Sequence, residues 1–596
     1  MKIDAQQTWL TRESGFDSTD GTRLFYRSWQ PVNPASGQPR ALIFLHRGHE
    51  HCGRIAQLVE QFGFTGYWAF AHDARGHGYS PGERASAPGF TSMVEDLDSF
   101  VVHIALTHGI AVENMVIVGN SVGAVIAATW LHDYAPRVRG VIMAAAAFDI
   151  KLYVPLAKPA LRLARRFKPE LAVTSYVRSS MLTHSLEQAD AYDTDPLIAK
   201  SISAKVLLEL SDTAKRVLAD AAAIDTPILM LAADKDFVVS LAPQQRFFDT
   251  ISSTLKRFVQ LSDCYHAVYY ERDMRAAIEA SRSFIEECFN TALPAPAHYL
   301  QADRDSHSAR RHAASLTGAG GTRLERIAYR LQKSMLGVLG PLSHGMQIGL
   351  QHGFDSGASL DYVYRNRAGG RLGIGAIIDR GYLDAVGWRG IRLRKVHLQE
   401  ALGKLIAAHT GTAPLRILDV AAGCGRYVLE TVKRYQDRPM AITLRDFAPH
   451  NLESARVLAQ QLGVIQAIDY QLRDAFDSAN YPPAEGQYDI VIVSGLYELF
   501  SNNQWVQTSL NAIAGAMADG AHLVYTGQPW HPQLDMIAQT LDNHQGKPWV
   551  MRPRPQAELD ALVRAAGLDK LSSQIGLEGI FNVSLARKGA APHAAG

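Results

Sequence analysis

Cysteine is scarce: four residues in 596, Cys52, Cys264, Cys288 and Cys424, and no two form a C-x-x-C pair. A disulfide framework is not expected, and unpaired thiols point to a reducing compartment. No stretch approaches the roughly 18 apolar residues needed to cross a membrane. Met1–Gln7 carries no apolar signal core. The expected setting is the cytoplasm. An excess of one charge is also missing: 60 Lys and Arg against 58 Asp and Glu leave a net charge of +2. That gives no footing for nucleic-acid binding. What remains is a globular composition, 47% hydrophobic and 20% charged. The length calls for several domains.

The most informative segment is Gly119-Asn120-Ser121-Val122-Gly123. It follows the apolar run Met115–Val118 and precedes a small-residue stretch, Ala124–Ala128. That order reads as strand, sharp turn and helix with a serine at the apex. The glycines are needed because the turn leaves no room for side chains beside the serine. A serine nucleophile needs a histidine base, and the histidine needs an acid to hold its tautomer. The buried-strand pattern Thr226–Leu231 leads to Asp234-Lys235-Asp236-Phe237-Val238-Val239, and Asp263-Cys264-Tyr265-His266 follows. Ser121 is assigned as nucleophile, His266 as base and then acid, and Asp236 as its partner. Asp234 is the alternative acid.

Another buried-strand pattern, Ala41–Leu45, runs into His46-Arg47-Gly48-His49-Glu50-His51. A tetrahedral intermediate needs two preorganised backbone N–H donors. Val122, after the nucleophile, supplies one and Gly48 the other. The clustered histidines sit in a glycine loop without helical H-x-x-x-H spacing, so no metal is assigned.

On these motifs, and on Asp73-Ala74-Arg75-Gly76-His77-Gly78-Tyr79-Ser80, residues 15–285 resemble the monoacylglycerol lipase and lysophospholipase branch of the α/β-hydrolases, the serine-aminopeptidase-like hydrolases. Arg47 stands where many relatives have glycine. The resemblance implies an acyl-ester substrate, with a monoacylglycerol or lysophospholipid foremost. A peptidase or small-ester hydrolase is the alternative. It also implies a lid over the acyl pocket at about 148–222. There Tyr153, Val154, Leu156, Leu161, Leu163 and Phe167 are interleaved with Arg162, Arg165, Arg166 and Lys168. Apolar faces with basic flanks suit peripheral contact with the inner membrane face, and equally an ordinary amphipathic lid.

The second half carries separate chemistry. Leu415–Val420 reads as a strand ending in an acid and leads into Ala421-Ala422-Gly423-Cys424-Gly425 and a helical pattern. A glycine turn at a strand–helix junction lets a ligand approach the backbone. Ala441–Asp446 ends in another acid, placed to take ribose hydroxyls. This arrangement suits NAD as well as S-adenosylmethionine. The D-x-A-x-G-x-G order, with Asp419 inside the strand end, favours the methyl donor. With further strand-like steps at Tyr470–Phe476, Tyr488–Val493 and Ile580–Ala586, residues 398–588 resemble class I S-adenosylmethionine-dependent methyltransferases. The resemblance implies that Asp419, Ala421, Gly423 and Gly425 cradle the methionine end. Asp446 binds ribose, Asp474 and Ala475 flank adenine, and Ser494 lies near the transferred methyl. The whole second half resembles a group of bacterial methyltransferases found fused to such hydrolases.

The expected architecture is α/β throughout: an α/β-hydrolase domain with helical lid over 1–290, a linker over 291–322, a helical extension over 323–397, a Rossmann-like class I methyltransferase core over 398–588 and a tail over 589–596. Leu324, Ile327, Leu331, Met335, Val338 and Leu339 share a helical face expected to pack on that core. Polar and aromatic residues of the extension, among them Tyr362, Asp379, Arg392 and Arg394, suit acceptor recognition or a structural role. The fusion itself suggests a lipid-linked methyl acceptor. An active hydrolase joined to a non-catalytic scaffold that binds S-adenosylmethionine or NAD is the rival reading. Oligomeric state is not legible.

Overall fold

The computed structural model describes residues 8–293, 296–481 and 488–589. Met1–Gln7, the Pro294–Ala295 part of the expected linker and tail residues 590–596 lie outside them. The chain divides into two compact units, Met1–Pro294 and Ala295–Gly596. Among the described residues no helix is long and apolar enough to cross a membrane.

In the first unit the strands are β1 (Trp9–Asp17), β2 (Arg23–Pro31), β3 (Ala41–Leu45), β4 (Trp68–His72), β5 (Met115–Asn120), β6 (Gly140–Ala144), β7 (Ala172–Thr174), β8 (Ser201–Ser203), β9 (Ile228–Ala233) and β10 (Lys256–Leu261). Eight of them form one sheet in the order β1-β2-β4-β3-β5-β6-β9-β10. From β4 to β10 the neighbours are parallel. Every residue of β3, β5, β6 and β9 is buried. Such continuous apolar runs are what strands covered on both faces require. The helix Val122–Tyr134 is buried along almost its whole length. Between β6 and β9 lie the helix Ala157–Phe167, the β7–β8 ribbon, the helix Leu186–Thr194 and the helix Ala204–Ala219. The last of these packs on the helices Phe90–His108 and Val122–Tyr134, so its role is also to cover the sheet.

The second unit has β11 (Leu415–Asp419), β12 (Met440–Asp446), β13 (Ala467–Leu472), β14 (Tyr488–Val493), β15 (Met517–Gly527), β16 (Leu568–Ile575) and β17 (Asn582–Lys588). The order is β13-β12-β11-β14-β15-β17-β16, with β17 antiparallel to both neighbours and the rest parallel. Chain direction across the sheet reverses between β11 and β14. That is the switch point where open parallel sheets bind ligands.

Two expected features differ in the structure, and one open choice, the role of Tyr362 and Asp379, is decided. On the helix Arg323–Leu339, Leu324, Ile327, Leu331, Met335 and Val338 face solvent, Leu324 being 80% exposed. Leu336, one position off the expected stripe, packs against the cluster of Phe354, Trp388 and Trp549. Spacing defined an apolar face, but the neighbour met a different one. The expected linker is also partly built: the helix His307–Leu316 is tied to the second unit by bonds from Ser308 Oγ to the Pro553 carbonyl and from Ser315 Oγ to Asp535 (3.1 Å). Tyr362 and Asp379 serve structure rather than recognition. The Asp379 carboxylate, fully buried, accepts from Ser343 Oγ (2.5 Å), Gly345 N (2.8 Å), Gly369 N (2.9 Å) and Tyr362 Oη (2.5 Å), and so gathers the extension around one charge.

A buried ionic knot ties the sheet-covering helices of the first unit. Arg216 grips Asp133 through two bonds (2.7 and 2.8 Å), and His132 bridges Asp133 (2.7 Å) and Asp220 (3.0 Å). Removing one partner of such a knot strands a charge, so Arg216→Met should destabilise the first unit by about 3–5 kcal/mol in chemical denaturation. Burial alone would lower the His132 pKa, but the two carboxylates raise it from 6.5 to about 9. The folded state therefore binds this proton more tightly than the unfolded chain. The stabilisation is complete below pH 6.5 and disappears as pH rises through about 9. In denaturation across that window, wild type should lose stability and His132→Asn should not show this decline.

Candidate active sites

Ser121 sits at φ +53° and ψ −109° between β5 and the helix that follows. An L-residue adopts that backbone only where its surroundings over-determine it. They do so here. A Cβ on Gly119 would lie 2.8 Å from the Ala124 Cα and the Gly123 carbonyl, and one on Gly123 would lie 2.8 Å from the Leu45 Cβ. The chain can close this tightly only with glycine at both places. The Ser121 amide is anchored on the Ala144 carbonyl (2.8 Å).

The turn brings the predicted residues together. Ser121 Oγ donates to His266 Nε2 at 2.8 Å, and His266 Nδ1 donates to Asp236 Oδ2 at 2.8 Å. The other Asp236 oxygen accepts from the Val238 and Val239 amides (2.7 and 2.9 Å). Burial alone would raise the Asp236 pKa, but His266 and these amides hold it below the usual carboxylate range. Asp234 does not reach His266. It accepts from the Asp263 and Cys264 amides (3.1 and 3.0 Å) and so fastens the loop that carries the histidine.

Gly48 and Val122 are neighbours: a Cβ on Gly48 would lie 3.2 Å from Val122 Cγ2. Both line, with Ser121 and His266, a cavity of about 470 Å³. Its walls are largely apolar and include Leu152, Leu161, Val173, Tyr176 and Leu207 from the segment between β6 and β9. Arg47, the departure from the family pattern, is buried at this mouth. It is paired with Glu50 and lies over the Tyr270 ring at 5.2 Å. Burial raises the Glu50 pKa, but Arg47 and Arg54 bring it down to about 2, so the knot is an ion pair across the ordinary pH range. His46 and His51 are held by Ala74 N and Asp195.

In the second unit, Gly423 and Gly425 have φ of +55° and +65°. With Ala421 and Ser494 they line a hollow of about 40 Å³, room for a few waters. Asp419 is fully buried. Oδ2 accepts from Tyr427 Oη (2.5 Å), while Oδ1 has no partner. Burial, with help from the Asp446 charge, pushes its pKa up to about 7. Ser494 Oγ also lacks a partner. Asp446 lies beside the loop, but its carboxylate is engaged by Gly423 N (2.8 Å), Ala448 N (2.9 Å) and Asn451 Nδ2 (3.0 Å). Asp474 is exposed and accepts from Phe476 N, and Ala475 is part of the core; neither lines the hollow. A cradle of glycines at positive φ, with two orphaned oxygens beside it, fits the methionine end of S-adenosylmethionine. The helix Gly357–Arg365 covers the cradle: Cys424 Sγ lies 3.6 Å from the Gly357 carbonyl.

The extension, Arg394 among its expected residues, lines a larger hollow beside this loop, about 370 Å³, whose other wall takes in Glu498, Gln528 and His531, which sequence reading missed. No motif marks these residues. The only signal was position, since Gln528 directly follows the end of β15.

Comparisons with known proteins find a separate family for each half of the chain. Residues 281–588 match the family described as "Putative methyltransferase", and residues 37–273 match "Serine aminopeptidase, S33". "Uncharacterized protein YnbC" of Escherichia coli K12 is 40% identical over 576 residues, 96% of this chain and 98% of that one. A monoacylglycerol lipase of Mycolicibacterium smegmatis is 24% identical over 46% of this chain and 96% of its own length. A monoglyceride lipase of Rattus norvegicus is 28% identical over 43% of this chain and 83% of its own. The chain belongs to the "Putative methyltransferase" family, and it carries a monoglyceride-lipase-like α/β serine hydrolase ahead of that family's domain.

Proposed function

We propose that the protein is bifunctional: a serine hydrolase of acyl esters joined to an S-adenosylmethionine-dependent methyltransferase. The observation that carries the first half is the unbroken relay from Ser121 through His266 to Asp236, opening on an apolar cavity of about 470 Å³. Ser121 Oγ attacks the ester carbonyl while His266 Nε2 takes its proton. The Gly48 and Val122 amides receive the oxyanion. His266 then protonates the departing alkoxide, leaving an acyl-serine. A water enters, gives its proton to His266 and releases the acid. Asp236 keeps Nδ1 protonated and steadies the imidazolium. The cavity walls favour a medium or long acyl chain, as in a monoacylglycerol or lysophospholipid, over a peptide.

The second half rests on the glycine cradle with the orphaned Asp419 and Ser494 oxygens. Asp419, Ala421, Gly423 and Gly425 would hold the methionine end, Ser494 would lie near the methyl, and Asp446 would offer its carboxylate to ribose. Bound S-adenosylmethionine supplies an electrophilic methyl group on sulfur. The protein's part is to position the partners and keep out water. The helix Gly357–Arg365 must shift to admit a nucleoside, because the hollow beneath it is small.

Ser121→Ala should abolish hydrolysis of long-chain p-nitrophenyl esters and leave S-adenosylmethionine binding, measured by calorimetry, unchanged; retained esterase activity would overturn the nucleophile. The two aspartates should separate in the same assay. Asp236→Asn should lower kcat by about 10⁴-fold, and Asp234→Asn, which only loosens the histidine loop, should lower it by roughly tenfold or less. Equal losses would contradict the assigned roles. For the methyl donor, Asp419→Ala should weaken S-adenosylmethionine binding at least tenfold, and an unchanged affinity would point to another cofactor.

A further inference from the structure

The hollow of about 370 Å³ in the second unit is walled by aromatic rings, among them Phe354, Trp388, Trp549 and Phe581. Trp388 and Trp549 lie 6.1 Å apart at an interplanar angle of 25°. Yet the lining is not simply greasy. Gln528 is 1% exposed, and neither its Oε1 nor its Nε2 has a partner. Glu498 Oε2 and Trp549 Nε1, both on the same lining, are also buried without partners. Each such atom has given up its bonds to water without a replacement. Folded proteins keep few of them, and here they gather on residues that line one hollow, just beneath its surface, where small side-chain rotations would bring them to a ligand that satisfies them.

The charges narrow the choice. Arg394 and Glu498 neutralise each other across 3.1 Å. Asp355 is taken by the amide and Nδ1 of His544 (2.7 and 2.8 Å). His531 Nδ1 accepts from Gln533 N at 3.0 Å. Burial, aided by Arg311, holds the His531 pKa down at about 3, so the ring is neutral. A charged ligand would lose its hydration and find no free counter-charge. An alkyl chain would fill the volume and leave every orphaned atom unpaired. A flat, neutral ring with a donor next to an acceptor can stack on the aromatic walls and pair with the Gln528 carboxamide.

We propose that this hollow binds a neutral planar ring carrying adjacent hydrogen-bond donor and acceptor atoms, a lactam-type or hydroxylated heteroaromatic, and that this ring is the methyl acceptor. The second clause rests on the methyl-transfer reading above: the ring's N–H nitrogen or O–H oxygen would form the new bond to the methyl carbon as the bond from that carbon to sulfur breaks. S-adenosylhomocysteine would be the leaving group, and the ring proton would pass to the unpartnered Glu498 Oε2. Continuity supports it: Leu360 and Arg394 line both this hollow and the one at the glycine loop, and Gly495 on its wall directly follows Ser494. A ring acceptor of this kind stands in place of the lipid-linked acceptor that the fusion suggests.

The test uses the full chain and three probes in equilibrium dialysis: 2-quinolone, naphthalene as the same shape without polar atoms, and 1-decanol as the alkyl control. Each is compared between wild type and Gln528→Leu, so that binding to the hydrolase cavity cancels. Leucine removes both orphaned atoms at similar volume, and an undiminished thermal midpoint confirms folding. The expected result is at least tenfold weaker 2-quinolone binding in Gln528→Leu, with naphthalene binding unchanged or tighter. Unchanged 2-quinolone affinity, or an equal loss for all three probes, would overturn the ring site. S-adenosylmethionine is titrated in parallel. If it binds while Gln528→Leu fails to discriminate, the ring site alone falls. If it does not bind while the ring result holds, the methyl-transfer reading falls and the ring site stands without its acceptor role.

Discussion

Parallel strands buried on both faces can expose chemistry only at their ends. Their side chains are committed to the covering helices and their backbone to the ladder. Both units of this chain work under that constraint. In the first, Ser121 follows β5, Asp236 follows β9 and His266 follows β10, each just beyond the carboxyl end of its strand. In the second, the glycine loop follows β11, Asp446 ends β12, Ser494 follows β14 and Gln528 follows β15. Residues far apart in sequence converge because neighbouring strands run the same way and end at the same level.

The two sites use burial differently. At the hydrolytic site the relay itself is satisfied: Ser121, His266 and Asp236 are bonded to one another, and Asp236 to two amides. Such a site is preorganised and has little to rearrange when substrate arrives. In the second unit several buried polar atoms are unsatisfied, at Asp419, Ser494, Glu498 and Gln528. A protein bears that cost where a ligand will meet it. The small hollow under the helix Gly357–Arg365 and the larger one beside it belong to this second class.

Backbone strain follows the same economy of position. The φ of +53° at Ser121 is held by the tight approach of strand and helix, which only Gly119 and Gly123 permit. The helix covering is in turn pinned by the Arg216–Asp133–His132–Asp220 knot. In the extension one buried carboxylate, Asp379, does the organising through four donors. These features lie away from the reacting atoms and still set where those atoms stand.

Local patterns alone marked the buried strands and the turn that carries Ser121. The glycines around Ser121 are demanded by a turn a few residues long, and continuous apolar runs mark buried strands, so both can be read without neighbours. The D-x-A-x-G-x-G turn is legible for the same reason. Only the tertiary structure decided between Asp236 and Asp234, which differ by two positions and are separated by which one His266 reaches. It also decided which face of the helix Arg323–Leu339 is covered, since spacing defines a stripe but not its partner. The pairing of Asp379 with groups 10 to 36 residues away, and the gathering of Glu498, Gln528 and Trp549 around one hollow, left no local trace. Contacts between distant segments have no period in the sequence, and they exist only once the chain has closed on itself.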